Sequence, residues 1–300
     1  MTETAIDAEK LGTPPLVSVC IPVYNCEAFI EAAIRSVLAQ TFQDFEIVVV
    51  DNASPDRTVE VVSGIKDCRI RLIRNETNLG PCKNWNISME QARGKYIKMV
   101  GADDILYKDC LAEKVAILEG DRENKIAMVC TRRDIIDAAG QVMLRDRGWP
   151  AQSSALRLSG REAIRKMARA GRNLLGEPVC VFFRRSDALD LGGFNPEIYR
   201  TLPFCLDWDL WCRLLQRGDL AVCGNTLCAF RVNAGSESLT LVKKFADNDR
   251  LFIESLKQRE MADISRLDLL TGAMGAWRDS LLRRGFYTYL KLRRMLPSAG

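Results

Sequence analysis

The sequence predicts an α/β protein: a mostly parallel sheet flanked by helices, then a helical C-terminal extension. Three observations predict it. Short β-branched apolar runs alternate with helical-period segments through the first 120 residues, the rhythm that puts helices on the faces of a parallel sheet. Past residue 121 hairpin signals replace that rhythm, and beyond Leu239 the pattern is mostly helical. The chain is therefore expected to divide into a flexible tail at 1–14, a body at 15–238 with halves at 15–120 and 121–238, and an extension at 239–300.

The elements follow in order. LVSVCIPVYN (Leu16 to Asn25) is a buried strand ended by a turn, and EAFIEAAIRSVLAQ sets Phe29, Ile30, Ala33, Ile34, Val37 and Leu38 on one helical face. FEIVVVDNAS is a second strand, after which Ser54 and Pro55 are expected to open a helix at its N-cap and first position. RIRLIRN is a third strand, Pro81 to Gly94 a third helix, and KYIKMV a fourth strand that delivers Asp103 and Asp104 to its carboxyl end. A helix at Lys108 to Gly120 and the strand IAMVCT come next. DIIDAAGQVML then reads as a hairpin turning at Gly140. Ser159 and Glu162 form a capping box before REAIRKMARAG. VCVFF is a strand, LGGFNPE a turn and DWDLWCRLLQRG a helix. DLAVCG and TLCAFRV read as two short strands.

Composition narrows the function classes. With 47% hydrophobic and 27% charged residues the chain has the balance of a soluble globular protein. It has no apolar run of the roughly 18 to 20 residues that a membrane span needs, and its first residues lack the build of a secretory signal. A cytoplasmic location is expected. Eleven cysteines without CxxC spacing and no histidine argue for buried thiols and against zinc. The net charge of +4 is uneven: Ala276 to Gly300 holds six basic residues and one acid, a local +5, which leaves −1 for the rest. That argues for a surface contact at the tail and against nucleic-acid binding by the body.

In open α/β sheets ligands gather outside the carboxyl ends of the strands. Asp51 ends the second strand there and Asp103 and Asp104 end the fourth. Three such acids repel one another and any phosphate unless a hard cation sits among them. Mg2+ or Mn2+ takes one or two protein carboxylates and completes its shell with water and substrate phosphate, which points to a nucleoside diphosphate ligand. A dinucleotide site is the rival, but the first turn, PVYNCEAF, carries no GxGxxG, and the chain has no GxxxxGK[ST].

IPVYN, VVVDNASPDRT, RNETNLGPCKNWN, ARGKYIKMVGADDIL, LGGFNPE and DWDLWCRL, in that order from Val17 to Ser238, resemble the family-2 glycosyltransferases. The resemblance implies a GT-A fold, a Rossmann-like mixed sheet flanked by helices, and inverting transfer from a nucleotide-diphosphate sugar. It implies that Pro22 and Tyr24 line the base pocket, that Asp51 meets the base, and that Lys83 stands near the nucleotide. By the same resemblance Asp103 faces the ribose, Asp104 holds Mg2+ or Mn2+, and Asp207 is the base that takes the acceptor's proton. Three positions depart from the family's pattern: Gly101 replaces the first acid of the metal motif, Leu206 the acid before Asp207, and Asn233 a histidine near the metal. Asn233 is still expected to offer an oxygen to the metal.

Bland readings stand beside these. Asp104 can be a turn aspartate, Asp51 a turn residue, Lys83 a solvated lysine, Asp209 a first-turn acid facing the helix dipole, and Asp207 an N-cap for a helix over 209–217. The resemblance also implies that Glu177 and Pro178 touch donor or acceptor sugar. The alternative at the level of the whole chain is a catalytically silent nucleotide-sugar-binding or scaffolding protein. The expected acceptor is a saccharide or a lipid-linked saccharide, in surface polysaccharide or glycolipid assembly. In WRDSLLRRGFYTYLKLRRML, Leu282, Phe286, Tyr289, Leu292 and Leu296 share one side with arginines around them, so residues 276–300 are expected either to pack on the body or to contact an anionic membrane surface at the inner face.

Overall fold

A computed structural model describes residues 13–150, 156–233 and 245–292. Residues 1–12 of the expected tail, 234–244 and 293–300, including Arg293, Arg294 and Leu296, lie outside the described residues.

The described elements run β1 (Val17–Val23), α1 (Ile30–Leu38), β2 (Phe45–Asp51), α2 (Thr58–Gly64), β3 (Ile70–Arg74), α3 (Pro81–Glu90), β4 (Tyr96–Met99), β5 (Ile105–Leu106) and α4 (Cys110–Glu119). They continue with β6 (Ile126–Ile136), β7 (Val142–Arg147), β8 (Leu156–Leu158), α5 (Gly160–Ala170), β9 (Val181–Arg184), α6 (Arg185–Asp190) and α7 (Pro196–Thr201). The last four are α8 (Leu206–Leu215), β10 (Asp219–Arg231), α9 (Phe245–Gln258) and α10 (Arg266–Leu292). Ten strands form one sheet in the order β3-β2-β1-β4-β9-β6-β10-β5, with β7 beside β6 and β8 beside β10. β3, β2, β1 and β4 are mutually parallel, whereas β9 runs antiparallel to both β4 and β6. The parallel first half and mixed second half are thus as expected.

β1 and β2 are buried at all seven positions, so their sequences read as unbroken apolar runs rather than alternations. α1 buries Ile30, Ala33, Ile34 and Val37 against them. Nine of the eleven free cysteines are buried, the exceptions being Cys26 and Cys68.

Four expectations need correction. α2 starts at Thr58, not at Pro55, because Ser54 Oγ accepts the Asn25 N–H at 2.9 Å while Asp56 accepts that of Thr58 at 3.0 Å. DLAVCG and TLCAFRV form one 13-residue strand, β10, with register shifts against β6 between Val222 and Cys228; Gly224 and Asn225 are absorbed as an irregularity instead of reversing the chain. Ser159 caps α5 by accepting the Glu162 N–H at 3.2 Å, but Glu162 pairs forward with Lys166. The face expected of the C-terminal helix is divided, with Phe286 packed on the body and Leu282 exposed. Gly272, Gly275 and Ala276 of α10 face α5, where a Cβ at Gly272 would lie 2.2 Å from the Ala168 carbonyl oxygen and one at Gly275 2.3 Å from that of Ala170. Small residues let the two backbones approach, so Leu267, Leu270, Met274, Trp277, Leu281 and Leu282 are turned outward and exposed. Phe286 and Tyr287 pack against Ile135 and Val232.

Candidate active site

The turn after β4 and the end of β10 are built around each other. The Asp104 N–H closes the turn on the Gly101 carbonyl at 3.0 Å. Asp104 Oδ1 accepts the Arg231 backbone N–H at 3.0 Å, and Asp103 Oδ2 accepts the Asn233 amide at 2.8 Å. The Arg231 guanidinium donates to the carbonyls of Asp103, Asp137 and Ala138 and lies 5.1 Å above the Phe29 ring. Asp104 is 3% exposed, and burial followed by repulsion from Asp103 pushes its carboxyl well above the usual carboxylate range. Burial raises Asp103 as well, with Arg231 pulling the other way. The departure at Gly101 has a steric counterpart, since a Cβ there would sit 2.6 Å from Asp104 Oδ2 and 3.2 Å from Asp103 Oδ1.

Both carboxylates face a cleft of about 350 Å³ whose other walls include Asp207, Glu177, Asp249, Trp85 and Tyr199. Asp207 lies in the first turn of α8, which begins at Leu206 with no side-chain cap, so the helix-capping reading does not hold. Asp209 is a first-turn acid of α8 as expected, and it is also fully buried and paired with Arg213 at 2.7 Å and Arg259 at 2.8 Å, tying α8 to the chain after α9. Trp208 and Trp211 are core residues, the former with its ring 4.9 Å from that of Phe252 and tilted 46° to it.

The remaining expected residues do not line this cleft. Asp51 is fully buried at the end of β2, its carboxylate accepting the Ser54 N–H at 3.3 Å with Arg74 at 3.8 Å. Pro22 is buried in β1, Tyr24 is 49% exposed just beyond it, and Lys83 is exposed on the first turn of α3. The sequence reading missed a network of asparagines. Asn52 accepts from Asn75 and from the Leu79 N–H and donates to Asn78, while Asn84 donates to the Val50 carbonyl. It fastens the loop before α3 to the end of β2, and Asn75, Asn78 and Asn84 of RNETNLGPCKNWN were its visible sign. Arg231 and Asp249 had no comparable signal.

Two carboxylates held side by side, with one backbone N–H and one amide as hydrogen-bond donors to their oxygens, suit a hard cation. Among the described residues no cluster of three or more Asp, Glu, Cys or His is assembled for a metal.

The family model for glycosyl transferase family 2 matches residues 18–192. An uncharacterized protein of Mycobacterium tuberculosis is 35% identical over 226 residues, covering 75% of this chain and 69% of its own length. Chondroitin synthase of Escherichia coli is 29% identical over 244 residues, which is 80% of this chain and only 32% of that enzyme. Among solved structures, the mannosyltransferase PcManGT from Pyrobaculum calidifontis, in complex with GDP-Man and Mn2+, superposes with a TM-score of 0.56 at 18% identity, over 94% of this chain and 81% of that one. The sheet with its parallel half, the acidic turn after β4 and the motif series across the matched region leave one assignment: this chain, with its GT-A fold, belongs to glycosyl transferase family 2.

Proposed function

We propose that the protein is an inverting, metal-dependent glycosyltransferase that moves a sugar from a nucleotide-diphosphate sugar to an acceptor hydroxyl, in the assembly of a surface polysaccharide or glycolipid. The observation that carries this reading is that Asp103, Asp104 and Asp207, from two separate regions of the chain, face one cleft. Asp207 takes the acceptor's proton as its oxygen attacks the anomeric carbon. Asp104 would hold Mg2+ or Mn2+ with an oxygen from Asn233, and Asp103, to which the Asn233 amide donates, would face the ribose. Such an ion supplies charge neutralisation for the departing diphosphate. Tyr24, Lys83 and the turn braced by Pro22 and Asp51 would form the nucleotide end. The Mn2+ and GDP-Man in the archaeal structure and the polymer made by chondroitin synthase support the cofactor and substrate classes.

The outer face of α10 gives the membrane reading a specific surface. Leu267, Leu270, Met274, Trp277 and Leu281 form a stripe at three- and four-residue spacing, with exposed Arg266, Arg278 and Arg284 beside it. Asp268 and Asp279 are turned inward and paired with Arg165, Arg172 and Arg283. An apolar stripe with only positive flanks suits anionic lipid and would repel a second copy of itself. Among the described residues no helix is long and apolar enough to cross a membrane, and a peripheral site at the cytoplasmic face fits a lipid-linked acceptor.

The test is a thermal-shift series of nucleoside diphosphates and their sugars with Mn2+, followed by transfer assays on Asp207→Asn. Donor binding that survives the substitution while turnover falls by about 100-fold or more supports the reading. Unchanged turnover refutes the role of Asp207.

A further inference from the structure

A second chamber, of about 330 Å³, adjoins the catalytic cleft. The two share a wall made of Arg133, Asn173, Glu177, Phe230 and Arg283. Its far side is closed by the β7 hairpin and the C-terminal half of α10, which contribute Leu144, Trp149, Phe286 and Tyr287.

The chamber's charge is opposite to that of the cleft. Five arginines line it, at 132, 133, 147, 172 and 283, against three carboxylates, Asp146, Glu177 and Asp279, an excess of two positive charges. The pairing is incomplete in detail. Arg172 Nη1 reaches Asp279 at 2.9 Å, but its Nε is buried without a hydrogen-bond partner. Arg132 Nε and Arg133 Nε meet Asp146 and Glu177 as ion pairs outside hydrogen-bond geometry, and they too are buried. Arg147 is exposed at the rim and makes no ion pair with a described residue. A buried N–H left without a partner is costly in a folded protein; Arg172 Nε is such a group, and it borders a space large enough for a sugar. Guanidinium groups bind phosphate and carboxylate in the same forked geometry, and the aromatic walls suit the apolar face of a pyranose.

We propose that this basic chamber is the acceptor subsite and that it selects a saccharide bearing an anionic group, a phosphate ester or a carboxylate. The inference rests on the glycosyl-transfer reading of the neighbouring cleft. The anion is held by Arg147 and Arg172, and the acceptor hydroxyl points past the Arg133–Glu177 wall toward Asp207. In the transfer its oxygen forms the new bond to the anomeric carbon, the bond to the diphosphate breaks with the electron pair leaving on the diphosphate, and the proton passes to Asp207.

The experiment is calorimetric titration of the full chain, at low and moderate salt, with glucose 1-phosphate, glucuronate, glucose and inorganic phosphate. At least one anionic sugar is expected to bind about tenfold more tightly than glucose, the advantage resting on charge-assisted hydrogen bonds and shrinking with salt. The phosphate and carboxylate arms tell which anion is recognised. Arg147→Gln and Arg172→Gln are each expected to remove most of that advantage while leaving the thermal shift by nucleoside diphosphate and Mn2+ unchanged. Arg147 lies at an exposed rim, so its variant keeps the test available if Arg172→Gln does not fold. Equal binding of glucose and both anionic sugars, or an advantage that survives both substitutions, overturns the proposal; so does inorganic phosphate binding as tightly as the sugar phosphate, which leaves an anion site without a sugar. Absence of any donor shift in the parent protein would instead count against the glycosyl-transfer reading, and the anionic-sugar preference is measured independently of it.

Discussion

Asp249→Asn is expected to stabilise the protein above neutral pH and not in acid. Asp249 lies on α9 at the wall of the cleft and is 8% exposed. Burial pushes its carboxyl from the ordinary 3.8 up to about 7, with Arg283 pulling it down and Asp279 adding a further upward push. The folded state therefore holds a proton that the unfolded chain has released between about pH 4 and pH 7, and stability falls as pH rises through that window before levelling off. A shift of about three units at about 1.4 kcal/mol each makes the ionised carboxylate cost about 4 kcal/mol at pH 8. Asparagine keeps the shape without the charge but brings an amide that needs partners of its own, so a net gain of about 1–3 kcal/mol is expected. For a chain of this size that is a rise of about 3–8 °C in Tm at pH 8. The assay is differential scanning calorimetry of parent and variant at pH 4 and pH 8, where the difference between the two proteins isolates one group among many titrating acids. An equal change at both pH values, or a lower Tm at pH 8, would refute the reasoning.

Two further outcomes are expected. Glu46, whose side chain is 3% exposed, accepts from Ser18, Arg71 and Arg93; Glu46→Gln strands two partly buried guanidinium groups and should cost about 2–4 kcal/mol, read as a lower guanidinium-chloride midpoint with unchanged slope. On α10, Leu270→Gln with Trp277→Gln should abolish sedimentation of the full chain with phosphatidylglycerol vesicles, and the parent should ignore phosphatidylcholine vesicles; a concentration-dependent dimer that the same substitutions dissolve would identify a second copy as the occupant instead.

What was legible in the sequence was what adjacent residues determine. The apolar runs of β1 and β2, the helical face of α1 and the turn at Gly140 each follow from periodicity within a dozen residues, and the parallel half of the sheet follows from their alternation. The position of Asp103 and Asp104 at a strand end was legible for the same reason. The contacts that decide their chemistry were not, since Arg231 and Asn233 reach them from about 130 residues further along. Lys98 and Lys114 make the same point more sharply. Both are fully buried and donate to the carbonyls of Val179, Cys180 and Val181. Nothing in KYIKMV distinguishes such a lysine from a solvated one.

The C-terminal helix shows why hydrophobicity alone does not decide which face turns inward. α10 carries two candidate inner surfaces, one of large residues and one of Gly272, Gly275 and Ala276. Area burial favours turning the large residues inward, and the sequence reading left packing on the body and membrane contact both open. Close approach to α5 wins, because a glycine face lets α10 lie against the Ala168 and Ala170 carbonyls while Asp268 and Asp279 reach Arg165 and Arg172. Leucine or tryptophan on that face would hold the helices apart and break the Arg165–Asp268 and Arg172–Asp279 pairs. The large side chains are consequently displaced to the outside, so the same packing that seats the extension on the body creates the exposed apolar stripe. If membrane contact is the use of that stripe, Gly272→Leu should weaken vesicle binding without touching any outward residue, by forcing α10 off α5. A variant that stays folded and binds as before would show that the stripe does not depend on this packing.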